Sequence, residues 1–469
     1  MNSNTWKTFA HSAHKALVAV MLVAGLAFAV GCGGGASSVA ANPTPTPTPG
    51  TASSSAAQVR FGDAPADSVI SFEVTVSALS LTPSGGGAAV SIPVGANNRL
   101  ELSHASGKFE PFALGNLPQG TFTAANLTLA NAELTFLSST GTPIHINGPA
   151  SAQITVPLSP ALTIGASPMI ISIDVNLANS VTLAGGVVNG ISFGPTSFNI
   201  TAKAPGAQAN QQDDDGEIED VRGTVTSATA SSFVLSVGQT KSSLTFSFDS
   251  TTQFSDGATA ATLANQIVKV EGFTRSDGTL FAKEVEGLES NTGSEMEGLI
   301  TVISGTTLTI SADDGIGNGM DDTKIGSSFS VNIAGLNASK FKVDGGNGFG
   351  SSVPSTLSFG PTTIHQGQRI EVESNVAVPP ANGSITPDKI KLQQQGVSGT
   401  VANLETNSFD LNLAADSHLR IISGQAVVHV TRSAATDSRI SVANGAAAQV
   451  RGLLFWDGTA WQMIARRIR

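Results

Sequence analysis

The chain of 469 residues holds a single cysteine, no tyrosine and three tryptophans, and only 13% of it is charged. One cysteine, Cys32, excludes an internal disulfide and a thiolate zinc site, so stability has to come from buried apolar surface and sheet hydrogen bonding. Without tyrosine, aromatic platforms beyond phenylalanine fall to Trp456 and Trp461 near the end of the chain. Sparse charge disfavours long solvent-facing helices, while 50 glycines and many Ser, Thr and Val residues suit short strands and turns, so the expected fold class is all-β. The formal net charge of −11 repels phosphate backbones, and nucleic acid is not an expected partner. The apolar run Leu17 to Val30 also falls short of the about 20 residues that cross a bilayer core.

That run has basic flanks at Lys7 and Lys15 and ends in Ala29-Val30-Gly31-Cys32, the layout of an export signal. The small residues before the cysteine resemble the lipobox of bacterial lipoproteins, which implies cleavage before Cys32 and acylation of its sulfur. Each buried CH₂ contributes roughly 0.8 kcal/mol, so two or three acyl chains hold a protein at a membrane almost permanently. The expected localisation is the cell envelope, in the outer membrane if the host is Gram-negative. Residues 1–31 are then the signal peptide. Residues 32–57, with Pro43-Thr44-Pro45-Thr46-Pro47-Thr48-Pro49, form a semi-rigid tether in extended polyproline conformation.

From 58 to 204 apolar and polar residues alternate, as in Phe72, Val74 and Val76 against Glu73, Thr75 and Ser77, with turn sequences between the runs. Evenly spaced strands without helical patterns predict a β-sandwich. The stretch Val59-Arg60-Phe61-Gly62-Asp63-Ala64-Pro65-Ala66-Asp67, the turn Leu117-Pro118-Gln119-Gly120-Thr121-Phe122 and the run Ile173-Asp174-Val175-Asn176-Leu177 resemble the lipoprotein domain catalogued as domain of unknown function 4382. That resemblance implies a surface sandwich and no activity. An acidic linker, 205–220, follows. In it Asp213, Asp215, Gly216 and Ile218 match positions of a calcium loop, but Gln211 and Arg222 stand where the first and last ligands belong, which excludes an EF-hand.

The remainder repeats itself in units 221–290, 295–395 and 396–469. Val221-Arg222-Gly223-Thr224-Val225, Met296-Glu297-Gly298-Leu299-Ile300 and Val397-Ser398-Gly399-Thr400-Val401 open them. The first and third share Val270-Glu271-Gly272 with Asp277-Gly278-Thr279 and Val450-Arg451-Gly452 with Asp457-Gly458-Thr459, each Asp-Gly marking a hairpin. Five strands with a short helical stretch at Ala258 to Gln266 predict small barrels of the oligonucleotide/oligosaccharide-binding type. The units resemble the family catalogued as domain of unknown function 5666. The second carries a Gly-, Asp- and Asn-rich insertion at about Asp313 to Ser352.

Chemistry is thin. Gly190-Ile191-Ser192-Phe193-Gly194 spells a nucleophile elbow, but Pro195 follows where a helix would start. The histidines His104, His145, His365, His418 and His429 show no metal-ligand spacing and read as loop or surface positions. Gly346-Asn347-Gly348-Phe349-Gly350 has no strand-helix unit around it to make a phosphate loop. No catalytic residue, metal ligand or cofactor is therefore expected. Trp456 and Trp461, flanking the last Asp-Gly turn, are the candidate ligand-gripping pair. The function these features suggest is a non-catalytic, lipid-anchored protein that displays β modules to an envelope polysaccharide or protein. The alternatives are an envelope enzyme with a site assembled between domains and a calcium-dependent adhesin.

Overall fold

Period-two alternation from Val69 onward is realised as one long strand, Val69–Pro83, paired antiparallel with Gly120–Leu137 along most of its length. In the computed structural model the residues described are 53–64, 68–95, 98–105, 107–184, 187–207, 212, 214–238, 243–288, 293–345 and 352–469. The export signal, Cys32, nearly all of the tether, Asp213 and the Gly346 to Gly350 loop lie outside them. Among the described residues no helix is long and apolar enough to cross a membrane.

The two long strands anchor a sheet that faces a second one, in which Ser54–Ala64 pairs antiparallel with Phe109–Pro118 and parallel with Met169–Asn176. Phe72, Val74, Leu127 and Leu129 of the first meet Val59, Phe61, Phe112 and Ile173 of the second in one core, the expected sandwich.

Glu217–Ala228 opens the first barrel, so the strand begins inside the segment expected to be an acidic linker. It pairs with Ser232–Val237 on one side and Ile267–Thr274 on the other. Parallel pairing of Ser243–Ser247 with Leu280–Gly287 then closes the sheet on itself around Val225, Phe233, Leu235 and Phe246. The third unit repeats the order: Gln394–Ala402, Ser408–Leu413, Val427–Thr431, Ala447–Trp456 and Trp461–Ile468, closed by parallel pairing of Val428 with Trp461. In both, a register shift comes just before the glycine of the shared Val-x-Gly signature. A Cβ on Gly272 would stand 1.9 Å from the Phe281 carbonyl oxygen and one on Gly452 2.1 Å from that of Ile464, so the bulge admits only glycine.

The second unit keeps the strand order, with its closing strand in two pieces. Ser384–Ile385 pairs with Ser328–Asn332 and Lys389–Leu392 with Arg369–Ser374. Pro387, which has no N–H to donate, lies between the pieces. Part of the expected insertion is a regular element: Phe341–Val343 pairs parallel with Lys389–Leu392, as Gln253–Ser255 does with the closing strand of the first unit. The helix expected at Ala258 to Gln266 is a series of turns instead. Thr259 and Thr262 bond to each other there and Asn265 takes a φ of 63°, while Leu263 plugs the barrel. The one α-helix among the described residues is His418–Ser423, in the third unit.

The modules are not beads on a string. Residues 51–469 form one compact unit. Leu453, Phe455 and Ile464 of the third barrel belong to the same apolar core as Ile300, Ile370 and Ile390 of the second. Arg60 of the sandwich, fully buried, donates to the Gly216 carbonyl at 3.1 Å and to the Thr274 hydroxyl at 2.7 Å in the first barrel. Arg467 of the third reaches the Gly107 carbonyl of the sandwich at 2.6 Å.

Candidate functional site

Along the first, fourth and fifth strands of the first two barrels, and the fourth and fifth of the third, apolar residues point inward and charged ones outward. An outward charge is ordinarily solvated. Here the outward faces are packed against one another, and charges of different modules meet away from water.

Across these ladders, directly opposed residues carry either opposite or like charge. Lys269 opposes Glu286, with 2.8 Å between charged atoms, and Lys391 opposes Glu371 at 3.1 Å. The like-charged pairs need outside help, because two carboxylates facing each other on a ladder repel. Glu297 opposes Glu371 and Glu295 opposes Glu373 in the second barrel. Arg222 of the first barrel enters between them, 2.7 Å from Glu295 and 3.3 Å from Glu371, and hydrogen-bonds Glu297. Burial works against the guanidinium charge, but Asp220, Glu295, Glu297 and Glu371 together hold its pKa well above the ordinary value. Burial would also push Glu297 up, and Arg222 with Arg369 outweighs it, so this carboxyl stays well below the usual range. Glu295 goes the other way, raised by burial despite Arg222, whose nitrogen is close but not aligned for a hydrogen bond.

The third barrel shows the mirror case. Arg451 opposes Arg467 on the ladder, and Glu217 and Glu219 of the first barrel neutralise them, with Glu217 at 2.8 Å from Arg467 and Glu219 at 3.8 Å from Arg451. His104 of the sandwich lies where sandwich and second barrel meet, 2.7 Å from Arg369, 3.0 Å from Glu110 and 3.4 Å from Asp314.

Between the first and second barrels this packing leaves a cleft of about 580 Å³. Asp256, Lys269, Glu271, Glu284 and Glu286 line it from one side, Lys340, Lys342, Asp344, Lys389 and Lys391 from the other. Among the described residues Val343 is its one apolar side chain, and none of them brings an aromatic ring to it. Burial, then the neighbouring Asp344, raises the Glu271 pKa well above the carboxylate range. Burial and Glu286 raise Glu284.

The residues singled out from sequence lie elsewhere. Trp461 is fully buried in the core of the third barrel, so the expected ligand-gripping pair is corrected: Trp461 is a packing residue, and Trp456 and His365 cover it with rings centred 5.1 Å from its own. His104 is likewise no surface residue, and His418 is also buried, whereas His145 and His429 are part exposed. Ser192 sits exposed just past the strand Val187–Ile191, with a single 3-10 turn at Pro195–Ser197 instead of a helix. In the acidic run, Asp214 pairs with Lys203, and Asp215 accepts from the Gln212 amide at 2.6 Å. Cys32 lies outside the described residues. Sequence reading missed the cleft, although its signal was present: Lys269/Glu271, Glu284/Glu286 and Lys389/Lys391 are charged pairs at period two in a chain with little charge.

Residues 222–286 match the family described as a domain of unknown function, number 5666. The matched segment is the first barrel, which gives that resemblance a defined fold. No curated protein matches the chain. Among solved structures, a multidomain protein with nucleic acid binding domains from Streptococcus pneumoniae is similar at 10% identity over 52% of this chain and 72% of its own, with a TM-score of 0.11. The expectation that nucleic acid is no partner rested on net charge alone and is withdrawn. Net charge averages over the chain and does not describe the charge of any one surface.

Proposed function

We propose that the chain is a lipid-anchored protein of the bacterial cell envelope with a non-catalytic binding or bracing role, and that its sandwich belongs with domain of unknown function 4382. The second and third units are, in the same reading, divergent members of the family matched by the first, since they share its strand order. The observation that carries the binding-or-bracing part is the interlock of charges between modules, above all Arg222 among Glu295, Glu297 and Glu371. Side chains that neutralise one another across modules favour a rigid body over a chain of independent domains. A rigid body suits a spacer or a presenting platform. The anchor is supported by the run ending in Ala29-Val30-Gly31-Cys32. Fractionating cells that express the full chain and its Cys32→Ala variant tests it, together with mass spectrometry of the mature N-terminus. The parent should partition with membranes and carry fatty acid on Cys32, and the variant should be released. Equal membrane partition, with no acyl mass on the parent, would remove the anchor from the account.

A further inference from the structure

One pair breaks the pattern of mutual neutralisation. Glu271 and Glu284 stand directly opposite each other on the first barrel's fourth and fifth strands, where Glu271 is 7% exposed. The other opposed like charges described above are met by a side chain from a neighbouring module. The side chains of Glu271 and Glu284 make no ion pair or hydrogen bond with any described residue, and the buried Oε2 of Glu271 accepts nothing. The nearby lysines are committed elsewhere. Lys269 is held by Glu286 at 2.8 Å, Lys389 by Asp256 at 2.6 Å, and Lys391 by Glu371 at 3.1 Å. Two opposed carboxyls of which one is buried are costly to ionise unless a positive group joins them, in keeping with the raised pKa of Glu271. Both border the cleft between the barrels.

We propose that this cleft is a binding site for a small polar organic ammonium compound, its amine seated between Glu271 and Glu284 and its hydroxyl or carboxylate groups turned toward Lys342 at the rim. The wall chemistry selects this class. With Val343 as the one apolar side chain and no aromatic ring among the described residues that line it, those walls suit a polar ligand better than a base, a lipid chain or a stacked sugar face. A hard divalent cation needs six to eight oxygen ligands, whereas the other carboxylates of the cleft, Asp256, Glu286 and Asp344, already lie within 4.0 Å of a lysine nitrogen. An ammonium hydrogen-bonds the carboxylates through its own protons, and an organic remainder with polar groups of its own fits walls of mixed sign. The volume of about 580 Å³ leaves room for a molecule of monosaccharide or amino-acid size with water. This deepens the binding role proposed above and is independent of the anchor, so it can fail while the fractionation result stands.

Isothermal titration of the full chain in detergent would use glucosamine and L-lysine as ammonium probes. N-acetylglucosamine serves as the uncharged counterpart and calcium chloride as the metal. Binding of at least one ammonium probe is expected, with N-acetylglucosamine at least about tenfold weaker than glucosamine, the loss of one charge-assisted contact. Glu271→Gln should weaken the bound probe at least about tenfold. Glu284→Gln, at the less buried position, should do the same and guards against a folding defect in the first variant, with melting curves of both compared with the parent. Binding of calcium in place of the amines, equal binding of glucosamine and its acetylated form, or no heat from any probe would each overturn the proposal. So would ammonium binding unchanged in both variants.

Discussion

Replacing Arg222 by methionine tests whether charges between modules hold this protein together. The side chain is 4% exposed and serves carboxylates on two modules, Asp220 on its own and Glu295, Glu297 and Glu371 on the second barrel. At an effective dielectric near 20, a unit pair about 3 Å apart is worth about 5 kcal/mol. Desolvating the guanidinium offsets much of this, so the pair's net worth is small, yet deleting one partner leaves buried carboxylates unmatched. Such deletions cost roughly 3–5 kcal/mol. Glu295, already raised by burial, relieves part of that by taking a proton, so the lower end, about 3 kcal/mol, is expected at pH 8. The sign with pH follows. In the variant the folded-state carboxyl pKa values rise above their unfolded values, so its deficit is smallest near pH 5 and grows as pH rises through them. Urea titration at pH 5 and pH 8 measures the deficit, and hydrogen exchange of strand Ser294–Ser304 should show protection lost there first. The double variant Arg222→Met, Glu295→Met should recover at least about 1 kcal/mol relative to the sum of the singles. A single variant within about 0.5 kcal/mol of the parent at both pH values, with additive doubles, would refute the interlock.

Three further outcomes follow from the same geometry. Burial, then Glu371, raises the Glu373 pKa to about 7 against the pull of Lys389, so its folded pKa exceeds the unfolded 4.5. Its contribution is complete below pH 4.5 and is lost as pH rises toward 7, a decline of roughly 3 kcal/mol that Glu373→Gln should flatten in melting curves from pH 4.5 to 8; an unchanged slope would rule Glu373 out as the source. Gly272→Ala should destabilise the first barrel by about 2 kcal/mol or more in thermal melts, whereas Gly165→Ala, with open space around it, should change little; equal effects would mean the bulge tolerates a side chain. Trp461→Ala should cost about 3–5 kcal/mol and Trp456→Ala clearly less, read by denaturant midpoint, and the reverse order would contradict the packing described.

Much of the architecture was legible from local pattern. Alternation around Phe72 and Phe233 predicts strands because a strand with one face buried repeats every two residues, and the Asp277-Gly278 and Asp457-Gly458 turns form as expected, with Asp side chains capping the Thr279 and Thr459 amides. The helix expected at Ala258 to Gln266 does not form, because barrel closure needs Leu263 as a plug and threonines and Asn265 favour turns. Propensity there was weaker than tertiary demand.

The amino-acid sequence by itself determined the all-β class, the repeat of the barrel and the Asp-Gly hairpin turns, since these depend on neighbours a few residues away or one strand across. Only the tertiary structure decided where the charges would lie. Period-two alternation tells which side chains leave the barrel and is silent on whether water or another module receives them. From sequence His104 reads as a loop or surface position and Trp461 as one of a ligand-gripping pair, and contacts from residues far along the chain bury both, as they bury Arg222. The unmatched pair of Glu271 and Glu284 emerges for the same reason, because matching is a property of modules that meet in space.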